Sequence, residues 1–261
     1  MVFPLVRFAR KSPEETAREL GTWLESELSE VSAFNVIKGF LNIAISTAYW
    51  QQVIAHVAEE KNYGLTEPGP DAPVMMVEYS SPNTNKPLHL GHIRNNLLGF
   101  SISRILEANG NNVIKVNLVN DRGIHICKSM LAWQKYGDGE TPESSGKKGD
   151  KLVGDYYVKF DQEYKKQVRE LTEGGMDRKK AEETAPLIRE AREMLLKWEA
   201  DDPEVRHLWE TMNGWVYEGF DTTYQRMGVS FDKMYYESET YKLGRDLVRQ
   251  GLEKGVLEQE E

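Results

Sequence analysis

The sequence predicts an α/β protein, in which a small α/β N-terminal domain precedes a Rossmann-type parallel-sheet domain with a helical insertion. Two β-prone runs, residues 74–79 and 113–119, enclose residues 91–109, whose apolar side chains recur at helical spacing. Strand, helix and strand in this order form a βαβ unit with parallel strands. Helical patterns dominate beyond residue 149, which indicates the insertion.

Residues 1–63 are predicted to form the N-terminal domain. Ser12, followed by Pro13 and Glu15, is typical of a capping box at the start of a helix. The further elements expected here are strands over residues 33–37 and 40–45 and a helix over residues 47–61. The proline- and glycine-rich residues 64–73 predict a linker.

Residues 74–261 are predicted to hold the larger domain. Its first strand, residues 74–79, is a continuous apolar run of the kind that is buried on both faces of a parallel sheet. Residues 140–149 have the composition of a flexible loop. The other elements expected are helices over residues 150–172, 186–199, 203–227 and 243–253 and short strands over residues 229–231 and 233–236.

Composition narrows the class of protein. The chain has 261 residues, 39% of them hydrophobic, which is enough for one large domain or two moderate ones. The 33 basic and 42 acidic side chains give a net charge of −9, so any RNA contact would need local basic patches. The single cysteine excludes an intrachain disulfide and favours a reducing compartment. No apolar run approaches the ~20 residues of a membrane span, so we expect a cytoplasmic protein without membrane contact.

The two ends of the sequence indicate a piece of a longer protein. The opening residues "MVFPLVRFAR" are expected to lie inside a strand. The closing residues "GVLEQEE" come directly after a predicted helix and stop at the start of a possible further strand. We therefore expect additional domains in the parent protein.

Polar side chains collect where the two strands of the βαβ unit end. In an open α/β sheet, ligands bind outside the carboxyl ends of the strands. The helix that follows the first strand points its N-terminus at this crevice, and its N–H groups and dipole favour a phosphate. His89 and His92 flank that helix start, Lys86 adds a cation, and Gly91 allows close approach to the backbone. This pattern is typical of a nucleotide site, in which hydrogen-bond donors stabilise charge that develops on phosphate.

Two other interpretations of the histidines stay open on the residues alone. The pair could be an ordinary helix cap and a surface residue. A zinc site formed by His89, His92, His125 and Cys127 is a further option, although their spacing is not one of the tight ligand spacings of zinc sites.

The motif at residues 89–92, "HLGH", resembles the HIGH signature of class I aminoacyl-tRNA synthetases, with leucine in place of isoleucine. Related nucleotidylyltransferases share H-x-G-H, so the residues on either side of the motif are needed to distinguish the two families. The stretch 78–99, "EYSSPNTNKPLHLGHIRNNLLG", resembles the same region of arginyl-tRNA synthetases, and residues 1–63 resemble the N-terminal domain of that family. The resemblance covers essentially the whole chain.

The resemblance implies roles for the residues that would handle ATP. His89 and His92 match the signature histidines, which contact the ATP phosphates while the amino-acid carboxylate attacks the α-phosphorus. Gly91 matches the glycine that lies against the adenine. Lys86 matches a lysine that many members carry before the signature in place of one in the downstream KMSK loop.

The resemblance also implies roles at the amino-acid end of the site. Glu78 matches the glutamate that holds the guanidinium of arginine, and Ser81 and Asn83 match residues that hold its other end. Asp121 matches a residue near ATP or the 3′ end of the tRNA. The surrounding sequence "NDRG" departs from the family's G-D-W-G, so Arg122 either touches RNA phosphate or balances Asp121.

The activity that this resemblance implies is the ATP-dependent attachment of L-arginine to tRNA(Arg) through an arginyl-adenylate. Mg²⁺ would accompany ATP, and no metal held by the protein itself is expected. Residues 74–261 would be the first part of the catalytic domain, the parent would act as a monomer, and the isolated chain would be inactive. Two alternatives are another H-x-G-H nucleotidylyltransferase and a non-catalytic RNA-binding relative.

Overall fold

The computed structural model describes residues 2–259, which fall into two compact units that meet in sequence between Leu65 and Thr66. The first unit contains two helices, an antiparallel hairpin and a third helix. In chain order these are α1 (Phe3–Ala9), α2 (Pro13–Glu27), β1 (Val31–Ile37), β2 (Phe40–Ile45) and α3 (Thr47–Glu59). The predicted hairpin and the two predicted helices are confirmed.

The start of the chain is a helix, so the expected strand over the opening residues is wrong. Pro4 lies in the first turn of α1, where proline is tolerated because the N–H it lacks would have no partner in the helix. Arg10 ends the helix in the left-handed conformation, with φ of 55°. Short apolar runs of this kind do not distinguish strand from helix by periodicity.

The predicted capping box opens α2. The Ser12 hydroxyl accepts a hydrogen bond from the N–H of Glu15 at 3.2 Å, and the Glu15 carboxylate accepts one from the N–H of Ser12 at 3.0 Å. Gly21 faces the hairpin: a Cβ there would lie 2.3 Å from the ring of Phe34. A glycine at this point therefore lets α2 pack closely on β1.

The second unit is built on a three-stranded parallel sheet. Its strands are β3 (Val74–Glu78), β4 (Asn112–Val119) and β5 (Lys233–Tyr236), in the order β3-β4-β5. The helix α4 (Leu90–Ala108) connects β3 to β4, which confirms the predicted βαβ unit. The last helix, α11 (Glu237–Glu253), follows β5 directly.

The helical insertion lies between β4 and β5 and holds most of the apolar core. Its helices are α5 (Ile124–Tyr136), α6 (Pro142–Ser145), α7 (Gly149–Glu173), α8 (Arg178–Thr184), α9 (Pro186–Glu199) and α10 (Pro203–Met227). The core includes Met130, Leu152, Trp198, Val216 and Phe220, each at most 2% exposed. The tightly packed part of this unit is therefore the insertion rather than the sheet.

The first strand of the sheet is exposed, and the expectation that it is buried on both faces is wrong. Val74 is 66% exposed and Met76 61% exposed. Within the described residues β3 pairs only with β4, so it is an edge strand. Its apolar residues match a central strand, but the layers that would cover them are not formed by residues 2–259.

Three further expectations in the second unit are corrected. Residues 140–149 are not all loop, because Thr141 caps the short helix α6. Residues 229–231 form no strand; they connect α10 to β5, and only residues 233–236 pair with β4. The helix α11 begins at Glu237, before the predicted start at residue 243. No helix among the described residues has both the length and the apolar character needed to cross a membrane.

Candidate active site

The two polar loops lie side by side at the carboxyl ends of β3 and β4, as predicted. Asn83 and Asn120 form a parallel bridge beyond the strands proper. The N–H of Thr84 donates to the Asn120 carbonyl at 3.0 Å, and the N–H of Asn120 donates to the Pro82 carbonyl at 2.9 Å. The sheet hydrogen bonding thus continues into the loops and fixes their spacing.

The two histidines form one local unit at the start of α4. His89 is the N-cap residue, and its Nδ1 atom accepts a hydrogen bond from the N–H of Gly91 at 3.1 Å. The Nδ1 atom of His92 accepts from the N–H of His89 at 3.2 Å. The ring centroids are 4.0 Å apart. The interpretation as a helix cap and the interpretation as a ligand site are therefore not exclusive, since capping uses only one nitrogen of each ring.

The capping bonds determine which nitrogen of each ring carries a proton. A backbone N–H can only donate, so each Nδ1 atom must present a lone pair. In the neutral imidazole the proton then lies on Nε2. His89 is exposed and His92 is half-buried. Both rings consequently have an Nε2–H donor available at the N-terminus of α4.

The backbone amides of α4 are less available than expected. The N–H of Gly91 is used by His89 Nδ1, and the N–H of His92 donates to the His89 carbonyl at 2.8 Å. The helix dipole still favours an anion at this end. Direct donors to a phosphate would therefore come from the imidazole Nε2 atoms rather than from these two amides.

The environment of His92 favours its neutral form. Partial burial, followed by the neighbouring His89 and the Lys86 ammonium, lowers the pKa of His92 below 6.5. At pH 7 the ring is neutral and keeps its lone pair on Nδ1. Protonation at lower pH would place a proton on Nδ1 and break the hydrogen bond from the N–H of His89.

This electrostatic coupling predicts a shift in the pH dependence of activity. If the full-length protein acts on ATP, its kcat/KM for ATP should rise with pH along an acid limb as His92 loses its proton, at a pH below the usual range of a histidine pKa. Lys86→Gln removes one cause of the lowered pKa, so the pKa rises and the limb moves to higher pH. The pH profile of residual activity measures this. Lys165→Gln, a lysine paired with Asp161 on α7, is the control and leaves the limb in place. A limb that moves to lower pH in Lys86→Gln contradicts the prediction.

Gly91 leaves space for the His89 ring, besides leaving the backbone accessible to a ligand. A Cβ at this position would lie 2.9 Å from Cε1 and 3.0 Å from Nδ1 of the His89 ring. Any side chain here therefore displaces that imidazole. The glycine is part of the geometry that aims His89, whether or not a base lies against it.

Gly91→Ala separates activity from stability. Alanine favours a helix over glycine and offsets part of the His89 cap that is lost, so thermal stability should change little. A displaced His89 should lower kcat of the full-length protein by about tenfold or more, because misplacement by ~1 Å costs up to ~10². Gly214→Ala is a matched control, since a Cβ on Gly214 in α10 meets no atom within 4 Å. Steady-state kinetics and thermal unfolding of both variants test this. If Gly91→Ala and Gly214→Ala were equally active, the orientation of the His89 ring would be unimportant for activity.

The residues after β3 form a strained turn. Ser80 and Ser81 both adopt the left-handed region, with φ of 73° and 43°. Such a conformation costs a non-glycine residue about 1–3 kcal/mol and is most often found at functional sites. The Ser81 hydroxyl donates to the Glu78 carboxylate at 2.7 Å, and both residues are exposed. The turn thus brings together two of the residues predicted to hold an amino acid, with the half-buried Asn83 two positions later.

The comparisons with known proteins agree with this geometry. Residues 53–260 match the family described as "tRNA synthetases class I (R), catalytic domain". The chain belongs to the arginyl-tRNA synthetase family of class I. It is 61% identical over 257 residues to an arginine--tRNA ligase of Bacteroides thetaiotaomicron, and 58% identical over 257 residues to one of Porphyromonas gingivalis. Each alignment covers 98% of this chain and 43% of the relative, so the chain spans less than half the length of these arginyl-tRNA synthetases.

Two solved arginyl-tRNA synthetases share the fold. The Thermus thermophilus enzyme has a TM-score of 0.57 at 23% identity, and the match covers 96% of this chain and 36% of that one. The Plasmodium falciparum enzyme has a TM-score of 0.54 at 18% identity, and the match covers 89% of this chain and 38% of that one. The Rossmann-type parallel sheet with its helical insertion is therefore the class I synthetase catalytic fold.

Asp121 is a buried residue that hydrogen-bonds to several elements of the second unit. It is 1% exposed, and its carboxylate accepts hydrogen bonds from the Tyr217 hydroxyl at 2.9 Å and from Ser238, through its N–H at 2.8 Å and its hydroxyl at 2.6 Å. Its carbonyl accepts from Trp209 Nε1 at 2.6 Å. Burial and this carboxylate raise the pKa of Tyr217. The bonds join the end of β4 to α10 and to the start of α11, so a contact of Asp121 with ATP stays a prediction that this geometry does not favour.

Arg122 pairs with Glu199 rather than balancing Asp121, and its contact with RNA phosphate stays a prediction. Its guanidinium donates to Glu199 at 2.8 Å and lies 3.9 Å from the ring centroid of Tyr241. On its other side it lies 5.5 Å from the ring centroid of Trp198. The variant "NDRG" loop of this family member therefore connects β4 with α9 and α11.

The zinc interpretation gains no support from the structure. Among residues 2–259 no group of three or more histidine, cysteine, aspartate or glutamate side chains is arranged to hold a metal ion. Cys127 is buried, and burial raises the pKa of its thiol to about 12. A cleft of about 430 Å³ does lie between α10 and β5, but it is lined by Tyr217, Tyr224 and their neighbours and by neither histidine.

Proposed function

We propose that this chain is the N-terminal part of a synthetase that joins L-arginine to tRNA(Arg) with ATP. The chain would contribute the first half of the site in which the amino acid is activated. The observation that carries the proposal is the pair of imidazoles at the N-terminus of α4, each with Nδ1 occupied by a backbone amide and Nε2–H available. Family membership adds the substrate class.

In the proposed reaction, a carboxylate oxygen of arginine attacks the α-phosphorus of ATP, and the bond to pyrophosphate breaks. Negative charge grows on the phosphate oxygens as this happens. Nε2–H donors on His89 and His92 and the Lys86 ammonium stabilise that charge without having to reorganise during the reaction. Gly91 leaves room for the His89 ring and for the adenine.

The amino acid is proposed to lie against the turn after β3. A carboxylate and a guanidinium form a bidentate, charge-assisted pair, and the exposed Glu78 offers such a carboxylate. Ser81 and Asn83 offer oxygen acceptors to the α-ammonium group. Arginine would then replace the hydrogen bond that Ser81 makes to Glu78 in the free protein.

Mg²⁺ is proposed to arrive with ATP, bound to the phosphates rather than to a protein site of its own. Residues 1–63 are proposed to contact the tRNA, residues 64–73 to act as a linker, and residues 74–261 to be the first part of the catalytic domain. The anticodon-binding domain would lie in the remaining length of the relatives. The full-length protein is proposed to work as a cytoplasmic monomer.

The test is ATP–pyrophosphate exchange by the full-length synthetase with arginine and tRNA present. We expect exchange that depends on arginine, and no tRNA charging by the isolated chain. Exchange that is indifferent to arginine would favour another H-x-G-H nucleotidylyltransferase. Failure of the full-length protein to bind ATP would favour a non-catalytic RNA-binding relative, and either result would overturn the proposal.

A further inference from the structure

The strained turn after β3 is held by polar side chains from three other elements. The N–H of Ser80 donates to Asn95 of α4 at 2.5 Å, and the N–H of Ser81 donates to Asn117 of β4 at 3.0 Å. The Ser80 hydroxyl is hydrogen-bonded to the Tyr224 hydroxyl of α10 at 2.7 Å. Both amides of the turn and its buried hydroxyl are therefore bound from outside the turn.

Tyr224 connects two of these contacts. Its hydroxyl accepts a hydrogen bond from the side-chain amide of Asn117 at 3.3 Å and shares a second one with the Ser80 hydroxyl, in which either group can donate. Asn117 is 0% exposed, Ser80 5% and Tyr224 6%, so these three polar groups depend mainly on one another for hydrogen bonds. Burial raises the pKa of Tyr224, and the hydroxyl keeps its proton.

The hydrogen bonds among Ser80, Asn117 and Tyr224 adjoin the residues proposed to hold arginine. Ser80 is buried, and the next residue, Ser81, is exposed and bonded to Glu78. A non-glycine pair in the left-handed region persists only where its surroundings enforce it. If the bonds from α10 and β4 are lost, the turn relaxes, and Ser81 and Glu78 no longer face the same point.

We propose that Tyr224 is a positioning residue for arginine binding, acting through Ser80 and Asn117 on the turn that presents Ser81 and Glu78. This inference rests on the proposed function. Tyr224 belongs to the helical insertion, so the insertion determines the shape of the amino-acid site as well as enclosing its own core. Within the described part of the chain the Tyr224 hydroxyl bonds to Ser80 and Asn117 and to neither histidine of the pair, so ATP binding should be much less affected.

The experiment compares Tyr224→Phe with wild type in the full-length synthetase, using arginine- and tRNA-dependent pyrophosphate exchange. Tyr156→Phe is the matched control: Tyr156 is 8% exposed and donates to Glu140 at 2.6 Å within the insertion. Each variant loses one buried tyrosine hydroxyl. The measurements are KM for arginine, KM for ATP and the midpoint of thermal unfolding.

For Tyr224→Phe we expect KM for arginine to rise about tenfold and KM for ATP to change by less than about twofold, because one buried hydrogen-bond partner is lost. Tyr156→Phe should lower thermal stability comparably and leave KM for arginine unchanged. Ser80→Ala, which removes the same bond from the other side, should reproduce the effect if Tyr224→Phe does not fold.

Two outcomes overturn the inference. KM for arginine within twofold of wild type in both Tyr224→Phe and Ser80→Ala shows that the turn does not need the bond. Equal increases of both KM values, or an equal effect of Tyr156→Phe, show a general loss of structure instead. Absence of arginine-dependent exchange in the wild type would refute the proposed function, and is thereby distinguished from failure of the inference.

Discussion

Replacing His92 by alanine is expected to slow adenylate formation in the full-length synthetase by about 10²–10³-fold, the usual cost of removing one preorganised donor to a developing oxyanion. The ring sits at the N-terminus of α4 with its Nδ1 atom held by the N–H of His89. Alanine removes both the Nε2–H donor and this positioning bond. Single-turnover formation of the adenylate, measured with saturating ATP and arginine in the presence of tRNA, reports the change directly.

Two companion variants make this result interpretable. His92→Asn has an oxygen that can accept from the N–H of His89 and an amide that can donate, so its loss of rate should be smaller. His207→Ala, on α10, removes an exposed histidine outside the proposed site and should have no effect. A change of less than threefold in His92→Ala is incompatible with a donor role in the transition state.

Glu78→Gln is expected to lower kcat/KM for arginine by about 10–10²-fold, because a hydrogen bond to a charged group contributes about 1.5–3 kcal/mol and a neutral amide cannot form the charge-assisted pair. Glutamine has nearly the same shape, and its oxygen can still accept from the Ser81 hydroxyl. The fold should therefore be unchanged. Pyrophosphate exchange at varied arginine concentration measures the loss, and KM for ATP serves as an internal reference.

Asp71→Asn is the control for Glu78→Gln. Asp71 is an exposed carboxylate in the loop before β3, so this variant changes net charge equally and should leave both KM values unchanged. If Glu78→Gln bound arginine as well as wild type, the guanidinium would have to be held by other residues.

Elements with strong local signals were predicted correctly. The start of α2 follows from the Ser12 capping box, and the start of α10 follows from Asp202 before Pro203. The histidine pair is also local: the bonds within residues 89–92 span two or three positions. Its place at the carboxyl end of β3 follows from the βαβ pattern, which needs no knowledge of the rest of the chain.

Parts of the site that depend on distant residues could not be predicted. Ser80 and Tyr224 are 144 positions apart, and Asp121 and Ser238 are 117 apart. Neither pair has a sequence signal, since serine and tyrosine are common surface residues as well. The only retrospective hint is on α10, where Trp209, Asn213 and Tyr217 recur every four residues and all donate to Asp121.

The errors at the edges of the fold have a common physical cause. A short apolar run shows that a segment prefers to be buried, but not in which conformation or by which neighbour. The sequence predicts a strand over the opening residues, which form the helix α1. It also predicts that the apolar residues of β3 are buried, whereas they are exposed.

The free edge of β3 affects how the 261-residue chain behaves in solution. A strand edge with exposed N–H and C=O groups is a template for pairing with another chain, and charged residues or a covering loop normally prevent it. Here Val74, Met75 and Met76 are all exposed beside that edge. The isolated chain should consequently self-associate as its concentration rises, and covering this edge should improve its solubility more than any change within the helical core.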